Sequence, residues 1–220
     1  MAYQDFITRV HTRTTRTYLE RVERGDKAEC AEVARQFGKD YWDGDRRHGY
    51  GGYVYDGRWA PVAEEMAAHY GLTAGDAVLD VGCGKGFLLY EFTQAVPGVT
   101  VRGIDVSRYG LEHAKPEVRE FLDEGTAARL PYEDDSFDLV VSLNALHNLY
   151  LYDLISAIRE IERVSKGASY IVVESYRNEA EKANLQHWQL TCEAYYRPEE
   201  WEYLYEMCGY TGDYSFIFFE

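Results

Sequence analysis

The feature that most restricts this chain's fold is the run Val78-Leu79-Asp80-Val81-Gly82-Cys83-Gly84-Lys85-Gly86. An apolar stretch of strand length gives way to glycine at every second position, and apolar residues then resume at helical spacing. Glycines at a strand-to-helix turn let the backbone bend tightly and let a ligand approach it at the helix N-terminus. The segments that follow keep the same alternation. Strands are predicted at 77–81, 100–105, 118–124, 137–142, 169–174 and 214–219. Helices are predicted at 61–70 (opened by Pro61, stopped by Gly71), 86–95, 108–114, 152–164 and 198–208. The helix at 152–164 carries the stripe Leu154, Ile155, Ile158, Ile161 and Val164.

Short loops between alternating strands and helices force right-handed crossovers and a mostly parallel sheet covered on both faces. The strands are apolar on both faces, as such burial requires. The expected fold class is therefore α/β: a Rossmann-like, doubly wound sheet of about six strands. The chain divides near residue 60. Residues 1–36 read as polar and helical, and 37–59 form a Gly/Tyr-rich loop with no period of 2 or 3.6. Residues 1–60 are thus expected to be a helical and aromatic lid, and 61–220 the catalytic domain.

Charge removes several functions. The 220 residues hold 23 Lys and Arg against 38 Asp and Glu, a formal charge of −15. Such a surface repels phosphate backbones and anionic lipid, so neither nucleic acid nor a membrane is an expected partner. No apolar run approaches the ~20 residues that span a bilayer, and the N-terminus lacks a signal-peptide core. Cys30, Cys83, Cys192 and Cys208 are far apart with no CxxC spacing. That argues against zinc or a disulfide framework and for a reducing, cytoplasmic location.

The loop itself narrows the ligand. A dinucleotide fingerprint reads G-x-G-x-x-G, with pyrophosphate over the helix start. Here the spacing is G-x-G-x-G, and Asp80 just ahead of it would repel a pyrophosphate. Asp105 ends the second strand beside the loop, where a carboxylate commonly takes ribose hydroxyls. The pair calls for a nucleoside without phosphates that carries a cationic amino group, the chemistry of S-adenosylmethionine.

The blocks 78–86, 103–107 and 130–140, in this order and spacing, resemble the signature segments of the class I S-adenosylmethionine-dependent methyltransferases, over about residues 60–175. The resemblance implies that Asp80 and the loop of Gly82, Cys83, Gly84 and Gly86 face the methionine portion. It implies that Asp105 takes the ribose hydroxyls and that Val106 lies against the adenine. Thr126-Ala127 matches a segment that usually reads Asp-Ala, so the adenine-amine contact passes to a hydroxyl or is lost. Asn144 matches the position beside the reacting sulfonium. The family usually closes its sheet with an antiparallel hairpin. This chain has room for one last strand, which implies six strands or an edge completed by a partner chain, as in a homodimer.

The acceptor is less defined. His147, three residues after Asn144, could deprotonate a hydroxyl or could simply cap and pack beside Tyr150. Tyr176, after the fifth strand, could line the pocket or be an ordinary tyrosine. The place of the Asn/Asp-Pro-Pro-Tyr/Phe block of nucleic-acid methyltransferases reads Asn144-Ala145-Leu146-His147, and no cluster has metal-ligand spacing. In segment 37–59, Tyr41, Trp42, Tyr50, Tyr53, Tyr55 and Trp59 could cover a sulfonium by cation–π attraction, or merely glue the N-terminal helices to the sheet. Arg58 could fork onto the cofactor's carboxylate. A small-molecule acceptor is expected. Two alternatives stay open: intramolecular cyclisation of the cofactor's aminobutyrate chain to azetidine-2-carboxylate with release of methylthioadenosine, and a non-catalytic cofactor-binding subunit.

Overall fold

The computed structural model describes residues 1–12 and 17–220; the part of the helical expectation that falls on 13–16 lies outside the described residues. Six strands form one sheet: β1 (Ala77–Val81), β2 (Thr100–Asp105), β3 (Leu122–Glu124), β4 (Leu139–Leu143), β5 (Ser169–Glu174) and β6 (Asp213–Ile217). Their order is β3-β2-β1-β4-β5-β6 and every pairing is parallel. This is the expected doubly wound sheet. The strand order reverses between β1 and β4, and the carboxyl ends there part to leave a ligand crevice.

Alternation along the strands divides the core. Val78, Val141 and Val172 face the side packed by α5 (Ala60–Tyr70) and α6 (Phe87–Ala95). Leu79, Val140, Ile171 and Val173 face the other side. There α8 (Leu151–Val164) and α10 (Pro198–Cys208) bring Ile158, Ile161, Trp201 and Tyr205. Pro61 stands in the first turn of α5, and Gly71 ends it in the left-handed conformation, as a C-terminal glycine does.

Several boundaries differ from expectation, each for a tertiary reason. The third strand is only three residues, because β2 offers partners only from Gly103 to Asp105. Arg119–Phe121 is a 3-10 turn instead. The fourth strand starts at Leu139, since Phe137 pairs with Ser165 in an isolated bridge. α7 (Arg108–Glu112) stops before Ala114. Before residue 60 the chain forms short helices, α1 (Thr8–His11), α2 (Glu20–Glu23), α3 (Lys27–Ala34) and α4 (Lys39–Trp42). The unanticipated α9 (Glu179–Trp188) buries only Glu181 and Leu185, so it has no apolar stripe. Its signal is at the start, where the Asn178 side chain accepts from Ala180 N and Glu181 N, an N-cap.

The last strand lies directly beside β5, parallel to it, with no hairpin. At Tyr214 its outer edge is bridged within the chain. Gln4 N donates to Tyr214 O at 2.9 Å and Tyr214 N to Ala2 O at 3.0 Å. Phe6 and Ile7 then enter the main core, with the Phe6 ring edge-on to Tyr170. The division near residue 60 is therefore one of sequence character, since the first residues share the core of the sheet. No helix among the described residues is long and apolar enough to cross a membrane.

Candidate active site

β1 delivers Asp80 and then the glycine loop into the crevice. Gly82 has φ +87°, and a Cβ there would lie 2.3 Å from Cβ of Ala145. Gly82→Ala combines that overlap with a strained backbone, so it is expected to cost about 2–4 kcal/mol of stability, read as a lower urea midpoint. Gly84 N donates to Asp105 Oδ2 at 2.8 Å, and Ser107 N donates to Asp105 Oδ1 at 2.7 Å. The β2 carboxylate is thus locked to the glycine loop by two backbone donors. Gly86 faces away, towards Val118 and Leu122.

Asp80 is buried, and among the described residues its Oδ1 has no hydrogen-bond donor. Burial first, then the charge of Asp105, pushes its carboxyl up to about 8. It borders a small cavity of about 60 Å³ walled by Trp42, Tyr53, Trp59, Cys83 and Gly84. An acid with an unmet oxygen among aromatic rings fits a cation bearing N–H donors. A second cavity, of about 130 Å³, lies over Asp105, Val106 and Ala127. Its apolar walls suit a flat ring, with Asp105 at one end for hydroxyls. Val106 is half exposed there. Thr126 is not on its wall; its hydroxyl accepts from Ala128 N at 3.2 Å. These residues fit S-adenosylmethionine, its amino-acid half towards Asp80 and its nucleoside half towards Asp105.

Segment 37–59 roofs both cavities. The Trp42 and Tyr50 rings stack in parallel with centroids 5.2 Å apart, Tyr50 meets Tyr53 at 4.5 Å, and Tyr53 stacks on Phe87. Trp42 Nε1 donates to Ser107 Oγ at 2.7 Å. Lys85, from within the glycine loop, fastens this cover. Its ammonium donates to both Asp43 oxygens at 2.7 Å and to the Tyr53 carbonyl at 2.9 Å. Tyr109 adds a hydroxyl to Asp43 Oδ2 at 3.0 Å.

A third cavity, of about 340 Å³, is bordered by Tyr41, Arg46, Tyr50, Arg58, Asn144, His147, Asn148, Glu174 and Gln189, among others. Asn144 and Tyr50 border all three cavities. Asn144 has φ +58° and its buried Oδ1 lacks a donor among the described residues. His147 is buried and held by Glu174. Its Nδ1 accepts from Glu174 N at 3.4 Å, and its Nε2 lies 3.4 Å from Glu174 Oε2. Burial pushes its pKa down to about 3, so the imidazole is neutral and weakly basic.

Two sequence candidates sit elsewhere than expected. Arg58 borders the large cavity and clasps Asp56, Nη2 to Oδ2 at 2.7 Å, because the two lie two positions apart in one turn. It is not on the wall of the Asp80 cavity. Tyr176 points into the core rather than any of the three cavities, since β5 has ended and the chain turns there. The sequence reading missed Glu174, Gln189, Asn148 and Lys85. Glu174 was findable as the last residue of a parallel strand, at the carboxyl edge where ligands bind.

A model of a methyltransferase domain family matches residues 72–212. The methyltransferase GfsG of Streptomyces halstedii is 32% identical over 119 residues, which is 51% of this chain and 42% of that protein. The 27-O-demethylrifamycin SV methyltransferase of Amycolatopsis mediterranei is 34% identical over 137 residues, 56% of this chain and 48% of that protein. The chain thus spans about half the length of the curated relatives it matches. Among solved structures, the [4+2]-cyclase SpnF is 20% identical with a TM-score of 0.55, covering 89% of this chain and 73% of that one. The YcgJ protein of Bacillus subtilis is 22% identical with a TM-score of 0.53 over 66% of each chain. At such identities the structures speak for the fold alone. The domain match over 72–212, lying on a sheet of this order with this glycine loop, makes the chain a member of the class I S-adenosylmethionine-dependent methyltransferases.

Proposed function

We propose that the protein transfers a methyl group from S-adenosylmethionine to a small-molecule metabolite in the cytoplasm, as a step in small-molecule biosynthesis. The observation that carries this is the meeting of three cavities at Asn144 and Tyr50. Two suit the halves of the cofactor, and the third is left for an acceptor. Bound there, S-adenosylmethionine supplies a methyl group activated by a cationic sulfur. Asp80 would hold the amino group beside the Gly82–Gly84 backbone. Asp105 would hold the ribose and Val106 would rest against the adenine. Asn144 would border the sulfur. Trp42, Tyr50 and Tyr53 exclude water and face a cation with their rings.

Relatives support the acceptor class, since the name of the rifamycin enzyme describes a small-molecule acceptor. The −15 charge supports it too, by disfavouring nucleic acid. A homodimer through the β6 edge would first have to displace residues 2–4. The test is mass spectrometry of the protein incubated with S-adenosylmethionine, with and without a small-molecule extract. S-adenosylhomocysteine formed only with the extract is the expected result. Methylthioadenosine formed without it would overturn methyl transfer in favour of chemistry on the cofactor's own chain.

A further inference from the structure

A groove of about 530 Å³ lies between α8 and α10, away from the three cavities of the candidate active site. Its floor and walls are Leu151 and Ile155 from α8 with Tyr203, Leu204 and Met207 from α10. Leu154, Ile158 and Ile161 bury the other side of α8, and Trp201 and Tyr205 the other side of α10. Packing within the chain therefore uses a different apolar stripe of each helix and leaves this one open. Leu151, Tyr203 and Met207 are each more than half exposed. A contiguous apolar patch of this kind marks a surface that another molecule covers.

Charge says which molecule. The two helices run parallel: Ala194 N, ahead of α10, donates to His147 O, ahead of α8, at 3.0 Å, and near their far ends Thr211 N donates to Glu162 Oε2 at 2.9 Å. Glu199 and Glu200 stand in the first turn of α10, at one end of the groove. Arg159 stands at the other end, two turns or about 12 Å along α8 from Leu151. Arg159 and Glu199 are exposed and form no salt bridge among the described residues. An apolar seam that is positive at one end and negative at the other is complementary to itself turned end for end, which is the relation a two-fold axis imposes.

We propose that this groove is the interface of a homodimer, with a two-fold axis through its centre laying it on the same groove of a second copy. Arg159 of each copy then meets Glu199 and Glu200 of the other, and Tyr203 and Met207 leave water for the partner's apolar seam. Two chains of charge −15 repel at long range, but at physiological salt that repulsion is screened beyond about 8 Å, whereas the paired ends touch. The contact leaves the β6 edge and the active-site cavities free, and it does not depend on which reaction the protein performs.

Sedimentation equilibrium of the full chain at about 1 to 100 μM, the range in which a modest interface assembles, tests this. Twice the mass of one chain is expected at the upper end. Arg159→Glu and Glu199→Arg should each raise the dissociation constant at least about tenfold, because each sets like charges against one another at both ends of the dimer. The double variant carrying both changes restores opposite charges and should return to within about threefold of wild type. Met207→Glu, which puts a charge into the apolar seam, should also weaken the dimer at least about tenfold. All three positions are exposed, so circular dichroism of every variant should match wild type. A monomer across the whole range would overturn the proposal and leave the groove to a different partner. A dimer indifferent to Arg159→Glu and Met207→Glu would overturn it by placing the contact elsewhere on the surface. A double variant as weak as the single ones would overturn it as well.

Discussion

Asp80→Asn is expected to weaken S-adenosylmethionine binding by about 10- to 100-fold, the worth of a charge-assisted hydrogen bond, while making the protein harder to unfold. The two effects share one cause. Asp80 sits buried beside Asp105 with an oxygen that no protein donor satisfies among the described residues. Its folded pKa is raised from 3.8 to about 8. A raised carboxylate gives stability that is complete below its unfolded pKa and is lost as pH rises through the folded one. Wild type should therefore lose stability between about pH 4 and 8, and the asparagine variant should lack this component. At pH 8 the variant should be more stable by ~2 kcal/mol or more, and near pH 4 the two should converge. Thermal melts at both pH values, beside a binding titration, check it. A variant that binds normally, or that is less stable at pH 8, would show that Asp80 is a structural group.

Cutting the Lys85–Asp43 clamp should have the second largest effect, on the time the cofactor stays bound. Both cavities proposed for the cofactor lie beneath Trp42 and Tyr50. That cover is tied to the glycine loop by Lys85 through Asp43 and the Tyr53 carbonyl. A cofactor enclosed beneath it leaves only when the tie opens. Lys85→Met should raise the dissociation rate of S-adenosylhomocysteine about tenfold with a smaller change in the association rate. Trp42 and Trp59 line the cavities, so stopped-flow tryptophan fluorescence reads the exchange directly. The two halves of the clamp are unequal. Asp43 is 25% exposed and also accepts from Tyr109, whereas Lys85 is 5% exposed. Losing the lysine leaves a carboxylate that water and Tyr109 can still satisfy. Losing the aspartate strands a buried ammonium, the costlier defect. Asp43→Asn should therefore destabilise the fold more than Lys85→Met. Unchanged exchange rates in both variants would mean the cofactor passes by another route.

What strand ends and turns dictate at the candidate site was legible in the sequence. Asp80, the Gly82–Gly86 loop and Asp105 are set by strand ends and turn chemistry, which leave a mark in local spacing. The parts that depend on distant contacts were not. Lys85 reads as one more residue in a glycine loop until the fold brings Asp43 to it across 42 positions. His147 reads as a base because it follows Asn144 after a strand; only packing reveals that it is buried against Glu174. Tyr176 and Glu174 are two residues apart, and the end of β5 sends one into the core and the other to the cavity. The same holds for the fold. The strands and helices of 61–220 announce themselves by period, whereas α9 is held by a cap and two buried residues. The pairing of residues 2–4 with β6 has no local signal at all.

The most direct measurement is calorimetric binding of S-adenosylmethionine to wild type across about pH 6 to 9.5. The complex needs Asp80 ionised and the ligand's amine protonated, with folded Asp80 near 8 and an α-amino group near the same value. Below that pH the pair must release one proton to bind, so affinity rises with pH; above it the pair must take one up, so affinity falls. The expected result is a maximum close to pH 8, with binding about tenfold weaker near pH 6.5 and proton release on the acid side. Absence of binding throughout, or an affinity flat across the range, would contradict a cofactor site built on Asp80.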